Sequence, residues 1–312
     1  MKRPVRILLI ANIVLLCSFF IFATKNSLTT TLVPTESEDT LKSTVKNVSE
    51  FYQIKAVKIP SNLNFAGERL PIEKPDVKER IDRELLVNTY WQSNTLLLFK
   101  RAHKYFPIIE PILQKNGIPD DFKYLALIES GLQNVTSHAG ARGFWQIMKA
   151  TGKENGLEIN DNVDERYHLE KSTEVACKYL NQAYLKFGNW TLAAASYNAG
   201  QAGIARRLKA QMVNDYYDLL LVEETARYML RVIAVKEIIS HPKRYGFEFD
   251  LEDLYNISKT KTVGVSSSIS NMALFAKKLG TNYKELRLLN PWILQNKLNN
   301  ASKKKYYLSI PE

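Results

Sequence analysis

The sequence predicts a mainly α protein: a helical globular domain followed by a small module of two strands and two helices. Three observations carry that prediction. Apolar residues recur at helical spacing through most of the stretch from Asp76 to Phe247. Turn formers are sparse, with 13 Gly and 11 Pro in 312 residues, which disfavours a turn-rich all-β fold. Past Lys261 the pattern changes to strand, helix, helix, strand. A content of 45% hydrophobic and 24% charged residues suits a chain that buries a core, and 312 residues suffice for two domains.

Residues 1–23 begin with Lys2, Arg3 and Arg6 and run on to Ala23 with Asn12 and Ser18 as further polar interruptions. The run is longer than a usual signal-peptide core and at the short end of a bilayer span. It reads as a membrane anchor, with a cleaved signal peptide as the alternative, and its positive flank places the body of the protein outside the cytoplasm. Residues 24–60, rich in Ser, Thr, Lys, Glu and Asn, read as a flexible tether. Cys17 lies in the apolar run and Cys177 in a predicted helix, so no disulfide joins them and Cys177 reads as a small core residue.

Folded structure is expected from about Asp76. Val77, Ile81, Leu85, Leu86 and Tyr90 mark a first helix. Asn94 to Tyr105 forms a second, and Ile108 to Lys115, after Pro107, a third. Asn116-Gly117 ends that helix, and Pro119 with Asp120 and Asp121 opens the one carrying Glu129, which Gly131 stops. A small-residue loop, Ser137 to Gly143, leads to a helix expected to open with Phe144-Trp145-Gln146-Ile147-Met148. Asn155 to Arg166 reads as an acidic loop. Ser172 to Phe187 is an amphipathic helix stopped by Gly188, Asn189 caps a helix ending at Gly200, and Glu223 to Ser240 forms another. In the tail, Thr262 to Val265 and Tyr306 to Ile310 read as strands around helices at Asn271 to Leu279 and from Asn282, where Asn282 and Glu285 suggest a capping box, to Leu289.

The net charge of +11 suits an anionic partner, but no arginine-rich tract or nucleic-acid signature accompanies it, so nucleic acid is not among the expected partners. His103, His138, His168 and His241 lack metal-ligand spacing, and no nucleotide-binding or Ser-His-Asp pattern occurs. The chemistry-bearing feature is Glu129. A carboxylic acid at a helix C-terminus, crowded by Phe144, Trp145, Met148 and Tyr197, would stay protonated near neutral pH, as a general acid for glycoside cleavage must. Asp161, Asp164 or Glu165 of the acidic loop could supply a second carboxylate for hydrolysis.

Four motifs in order resemble those of the lytic murein transglycosylases: Glu129-Ser130-Gly131; Ser137-x-x-Gly140-Ala141-x-Gly143-x-Trp145-Gln146-Ile147-Met148; Ala195 to Gly200; and Glu224-Thr225-x-x-Tyr228. Further likeness to the membrane-bound type D branch extends over residues 60–311. The resemblance implies a goose-lysozyme-like helical domain over residues 61–247, with core motifs in 119–230. It implies Glu129 as sole acid and base, cleaving the MurNAc-GlcNAc bond of peptidoglycan without water and leaving a 1,6-anhydro ring. Ser137, Gln146, Met148, Tyr197, Asn198 and Glu224 fall on substrate-binding positions, and no cofactor is implied. Ser196, Val222 and Tyr167-His168 depart from the family pattern. Residues 261–312 resemble a LysM module in Ala276-Lys277-Lys278-Leu279-Gly280 and Tyr283 to Pro291, without its opening glycine-aspartate turn. The expected partners are peptidoglycan strands and, through residues 1–23, the membrane; the protein is expected to be monomeric and to work on the periplasmic side of the envelope. The rival readings are a hydrolytic muramidase on the same fold and a catalytically silent wall-binding protein.

Overall fold

In a computed structural model, residues 54–301 and 303–312 are described. The expected anchor, Cys17 and most of the expected tether lie outside the described residues, and among those described no helix is long and apolar enough to cross a membrane. Residues 56–312 form one compact unit.

That unit begins before Asp76. A short hairpin, β1 (Asn64–Phe65) and β2 (Glu68–Arg69), turns through Ala66 and Gly67, both at positive φ. Phe65 and Leu70 are fully buried and tie the hairpin to the main core. Glu68 caps a distant helix start, accepting from the backbone N–H of Trp190 (2.6 Å) and of Thr191 (2.8 Å). Helix α1 (Pro75–Tyr90) has Pro at its first turn and buries Val77, Ile81 and Leu85 on one face.

The two helices expected on either side of Pro107 are one, α2 (Gln92–Lys115), with Pro107 and Pro111 inside it. Both prolines lie on the exposed face, four residues apart. The carbonyls they leave without an intrahelical donor can be hydrated, while Phe99, Ala102, Phe106, Ile109 and Leu113 keep an unbroken buried stripe opposite.

A 3₁₀ turn at Asp120–Phe122 feeds α3 (Lys123–Ser130), which stops at Gly131 in the left-handed conformation. The helix expected from Phe144 starts later, as α4 (Lys149–Glu154), because residues 143–147 are a turn whose amides and carbonyls pair within the loop. The amphipathic α5 (Leu169–Phe187) and the nearly all-apolar α6 (Trp190–Ala199), whose cap Asn189 accepts from the Leu192 N–H, form the centre. Helix α7 (Gln201–Gln211), absent from the sequence reading, follows. Helix α8 (Glu223–Ser240) packs on α1, α3 and α6. Cys177 is a buried core residue, and burial pushes its thiol up to about 12.

The tail has the expected order: β3 (Thr260–Val265), α9 (Met272–Lys278), α10 (Tyr283–Leu289) and β4 (Tyr306–Pro311). The strands pair antiparallel, Val265 opposite Tyr306. Tyr306, Leu308 and Ile310 alternate inward into a second core, which also takes Val163 from the helical domain. Asn282 caps α10 through the Glu285 N–H, but the Glu285 carboxylate accepts from the Thr281 hydroxyl (2.6 Å), one partner away from the expected reciprocal box.

Module and helical domain are joined along residues 158–166. Val163 and Ile293 form a β-bridge, Asp164 N–H donates to Trp292 O (2.8 Å), and Asn162 Nδ2 donates to Lys297 O (2.7 Å). Glu158 accepts from Lys304 (2.7 Å) and the Tyr306 hydroxyl (2.9 Å).

Candidate active site

Glu129 is the penultimate residue of α3, and three segments converge on it. The Ser130 hydroxyl donates to Phe144 O (2.8 Å), fastening the helix end to the loop that follows. Within that loop, Gly143 N–H donates to Val135 O, and Ser137 Oγ accepts from the Ala141 N–H (3.0 Å). Gln146 stands at φ +45°, with Nε2 donating to Gly143 O (2.7 Å) and Val135 O (3.2 Å). A side chain in that backbone region is strained, and the two amide bonds help to hold it there.

The loop is braced from below by a buried arginine. Arg166 Nη1 donates to Gly140 O (3.0 Å) and Ile147 O (3.1 Å), while Asp164 grips the same guanidinium at Nε (2.9 Å) and Nη2 (2.7 Å). Arg142 adds a third contact to Asp164 (3.0 Å). Gly143 sits directly on this brace: a Cβ there would lie 2.0 Å from Arg166 O, and its φ is +78°. Burial opposes the charge of Asp164, but the arginines together outweigh it and hold the carboxyl below its usual range. Glu165 is lowered likewise: burial is outweighed by Lys171, the Glu158 N–H and Lys304. The acidic loop is therefore not a solvated one. Asp164 and Glu165 are buried structural ion pairs, while Asp161 is exposed.

The opposite wall comes from α6 and α8. Tyr197 donates to Trp145 O (2.7 Å), and Trp145 Nε1 donates to Thr173 Oγ1 (2.8 Å). Asn198 accepts from the Thr225 hydroxyl (2.9 Å) and donates to Glu224 (3.4 Å). One turn after Glu224, the Tyr228 hydroxyl donates to Glu129 Oε1 at 2.6 Å. Gln146, Met148, Tyr179, Tyr197, Asn198 and Gln201 line a groove of about 430 Å³.

Desolvation dominates the acid. It pushes the Glu129 carboxyl from an ordinary 4.5 up to about 7, against the Tyr228 hydrogen bond; Glu224 adds to the rise and Arg231 opposes it. Holding the anion there costs on the order of 3 kcal/mol. Tyr228 and Tyr197 are themselves raised well above 10, first by burial and then by the negative Glu129. The site thus holds a carboxyl that titrates near neutral pH, fixed by Tyr228 and close enough to act on Tyr197, which lines the groove.

Of the residues singled out in the sequence, Gln146, Met148, Tyr197 and Asn198 share the groove, and Glu224 joins them through Asn198. Ser137 is in the loop, its hydroxyl engaged by the Ala141 N–H. Phe144 and Trp145 do not face the groove as expected: both are in the core, because Ile147 and the Trp145–Thr173 bond fix the turn with its rings inward. Tyr228 was missed as the direct partner of the acid, although its spacing from Glu224, one helical turn, already set both on one face of α8.

A helical domain that sets one acid, raised to about 7, between a glycine loop and a tyrosine-bearing helix fits a lysozyme-like transglycosylase domain. Residues 106–219 match the family model described as the transglycosylase SLT domain, and residues 261–312 match the soluble lytic transglycosylase C-terminal LysM-like domain. The chain therefore carries a transglycosylase SLT domain followed by a LysM-like C-terminal domain. It is 27% identical over 257 residues to the membrane-bound lytic murein transglycosylase D of Escherichia coli K12, covering 80% of this chain and 55% of that protein. The same protein from Escherichia coli O6:H1 matches equally. The chain thus spans about half the length of the relatives it matches. The 70 kDa soluble lytic transglycosylase of Escherichia coli aligns in structure at 19% identity and a TM-score of 0.39, covering 66% of this chain and 41% of that one.

Proposed function

We propose that the protein is a peptidoglycan lytic transglycosylase of the cell envelope. The observation that carries this reading is Glu129 itself, its carboxyl raised to about 7 and held by Tyr228 at 2.6 Å. Protonated Glu129 gives its proton to the glycosidic oxygen between N-acetylmuramic acid and N-acetylglucosamine as the C1–O bond breaks. The resulting carboxylate takes the proton of the muramyl 6-hydroxyl as its oxygen bonds to C1, closing the 1,6-anhydro ring. The proton count closes on one residue, with no water consumed and no cofactor needed.

The pairing of Asp164 and Glu165 with basic side chains weighs against hydrolysis through either of them, since neither is left to activate a water. Ser137, Gln146, Met148, Tyr197, Asn198 and Glu224 would contact the glycan along the groove. Residues 61–247 would act as the catalytic domain and 261–312 as a LysM-like module, in a monomer. An E. coli relative is by name membrane-bound, which supports residues 1–23 as an anchor on the periplasmic side. Mass spectrometry of digested sacculi tests the reading. Anhydro-muropeptides are expected, and Glu129→Gln should lower their release by about 10²–10⁴-fold while leaving the melting temperature near wild type. Reducing-end products would show hydrolysis instead, and an untouched wall would leave only binding.

A further inference from the structure

A second recess, of about 350 Å³, is lined by Leu127, Ile128 and Gly131 on either side of Glu129 in the chain and shares no lining residue with the groove. It lies between the α1–α2 corner, α3 and α8, and is lined by Asn88, Trp91, Asn94, Ile128, Arg227 and Arg231. Ile128 immediately precedes the acid, and Arg231 is near enough to stabilise its carboxylate. Trp91 occupies the junction of α1 and α2, lines the recess and stays 59% exposed.

The two arginines stand four residues apart on α8, and the buried Glu84 anchors both at Nε, Arg227 at 2.6 Å and Arg231 at 3.8 Å. Among the described residues no carboxylate or carbonyl oxygen accepts a hydrogen bond from the terminal amino groups of either. Glu84 therefore orients two guanidinium forks without using them up. Such a fork matches a carboxylate in geometry as well as charge. The exposed indole supplies a flat apolar face, and the asparagines supply amides.

We propose that this recess binds a free carboxylate on the peptide stem of the glycan, with Arg231 and Arg227 as the carboxylate fork and Trp91 as the platform beneath the stem. This rests on peptidoglycan being the substrate and assigns the stem to the α8 side of Glu129. The arginines then recognise a charged substituent, while the groove beyond Tyr197 takes the sugars.

The test compares three glycan-strand preparations: stems with free carboxylates, stems amidated at those carboxylates, and strands stripped of stems. With wild type, KM should be lowest for the first and roughly tenfold higher or more for the amidated strands. Arg231→Gln and Trp91→Ala should each raise KM on free-carboxylate strands while narrowing the gap to the amidated ones, and Arg231→Lys should restore part of the gap. Equal KM on free and amidated strands, or losses of the same size on all three preparations, would overturn the proposal. If no strand is cleaved, the transglycosylase reading fails separately. Affinity of the Glu129→Gln protein for the same three preparations then still decides whether the recess reads a carboxylate.

Discussion

Replacing Tyr228 by phenylalanine removes the one hydrogen bond that works against the burial of Glu129 and keeps the ring. The hydroxyl donates to Glu129 Oε1 at 2.6 Å, so it stabilises the carboxylate and lowers its pKa. A hydrogen bond to a charged group contributes about 1.5–3 kcal/mol. At 1.36 kcal/mol per pH unit, its loss should move Glu129 from about 7 up by about one unit or more. A rate that requires the protonated acid falls as pH rises through this value. The alkaline limb of the pH profile in Tyr228→Phe should therefore lie to the alkaline side of wild type, with a lower plateau because the carboxyl has lost its orienting partner. The assay is kcat/KM for formation of 1,6-anhydro ends between about pH 5 and 9. A limb that stays in place, or moves to the acid side, would refute the assignment of Glu129 as the titrating acid or of Tyr228 as its donor.

Two further outcomes concern the brace under the glycine loop. Gly143→Ala puts a methyl 2.0 Å from Arg166 O at a φ of +78°; strain and overpacking together should lower stability by about 2–5 kcal/mol, read as a fall in Tm of about 5–15 °C. Asp164→Asn leaves Arg166 buried without its anion and should cost about 3–5 kcal/mol near neutral pH. Because the folded-state pKa of Asp164 is depressed, its contribution is complete above the ordinary carboxylate range and is lost as pH falls through the folded value. The gap between wild type and variant in urea titrations should therefore narrow on acidification. A gap that widens would mean the ion pair is not what Asp164 contributes.

Much of the helical frame was legible because its signals are local. Asn189 at the start of α6, Gly188 at the end of α5 and the apolar stripe of α5 each settle one boundary without help from the rest of the chain. The misreadings came where a distant partner decides. Pro107 looks like a break until the opposite face of α2 is known to be continuously buried. The Ala66-Gly67 turn lacks an Asn-Gly or Asp-Gly signal, and its place is fixed by Asp121, which accepts from the Ala66 N–H (2.6 Å). Phe144 to Met148 has a helical composition but spends its backbone groups on the loop and on Arg166. Glu129 was legible from its neighbours in sequence, whereas Arg166 was not: nothing in Asp164-Glu165-Arg166 says that its arginine points inward and holds two carbonyls of another loop.

The seam between residues 158–166 and the tail also bears on how the molecule acquires its shape. Its hydrogen bonds join segments far apart in the chain, 135 residues for Asn162 with Lys297 and 148 for Glu158 with Tyr306. Contacts of such separation bear the entropy of closing a long loop before they return anything, so they close after the local helices have formed. Residues 164–166 belong both to that seam and to the support of Gly140 and Ile147. The support of the loop beside Glu129 is therefore covalently continuous with the seam to the tail, although its own bonds span only 26 and 19 residues.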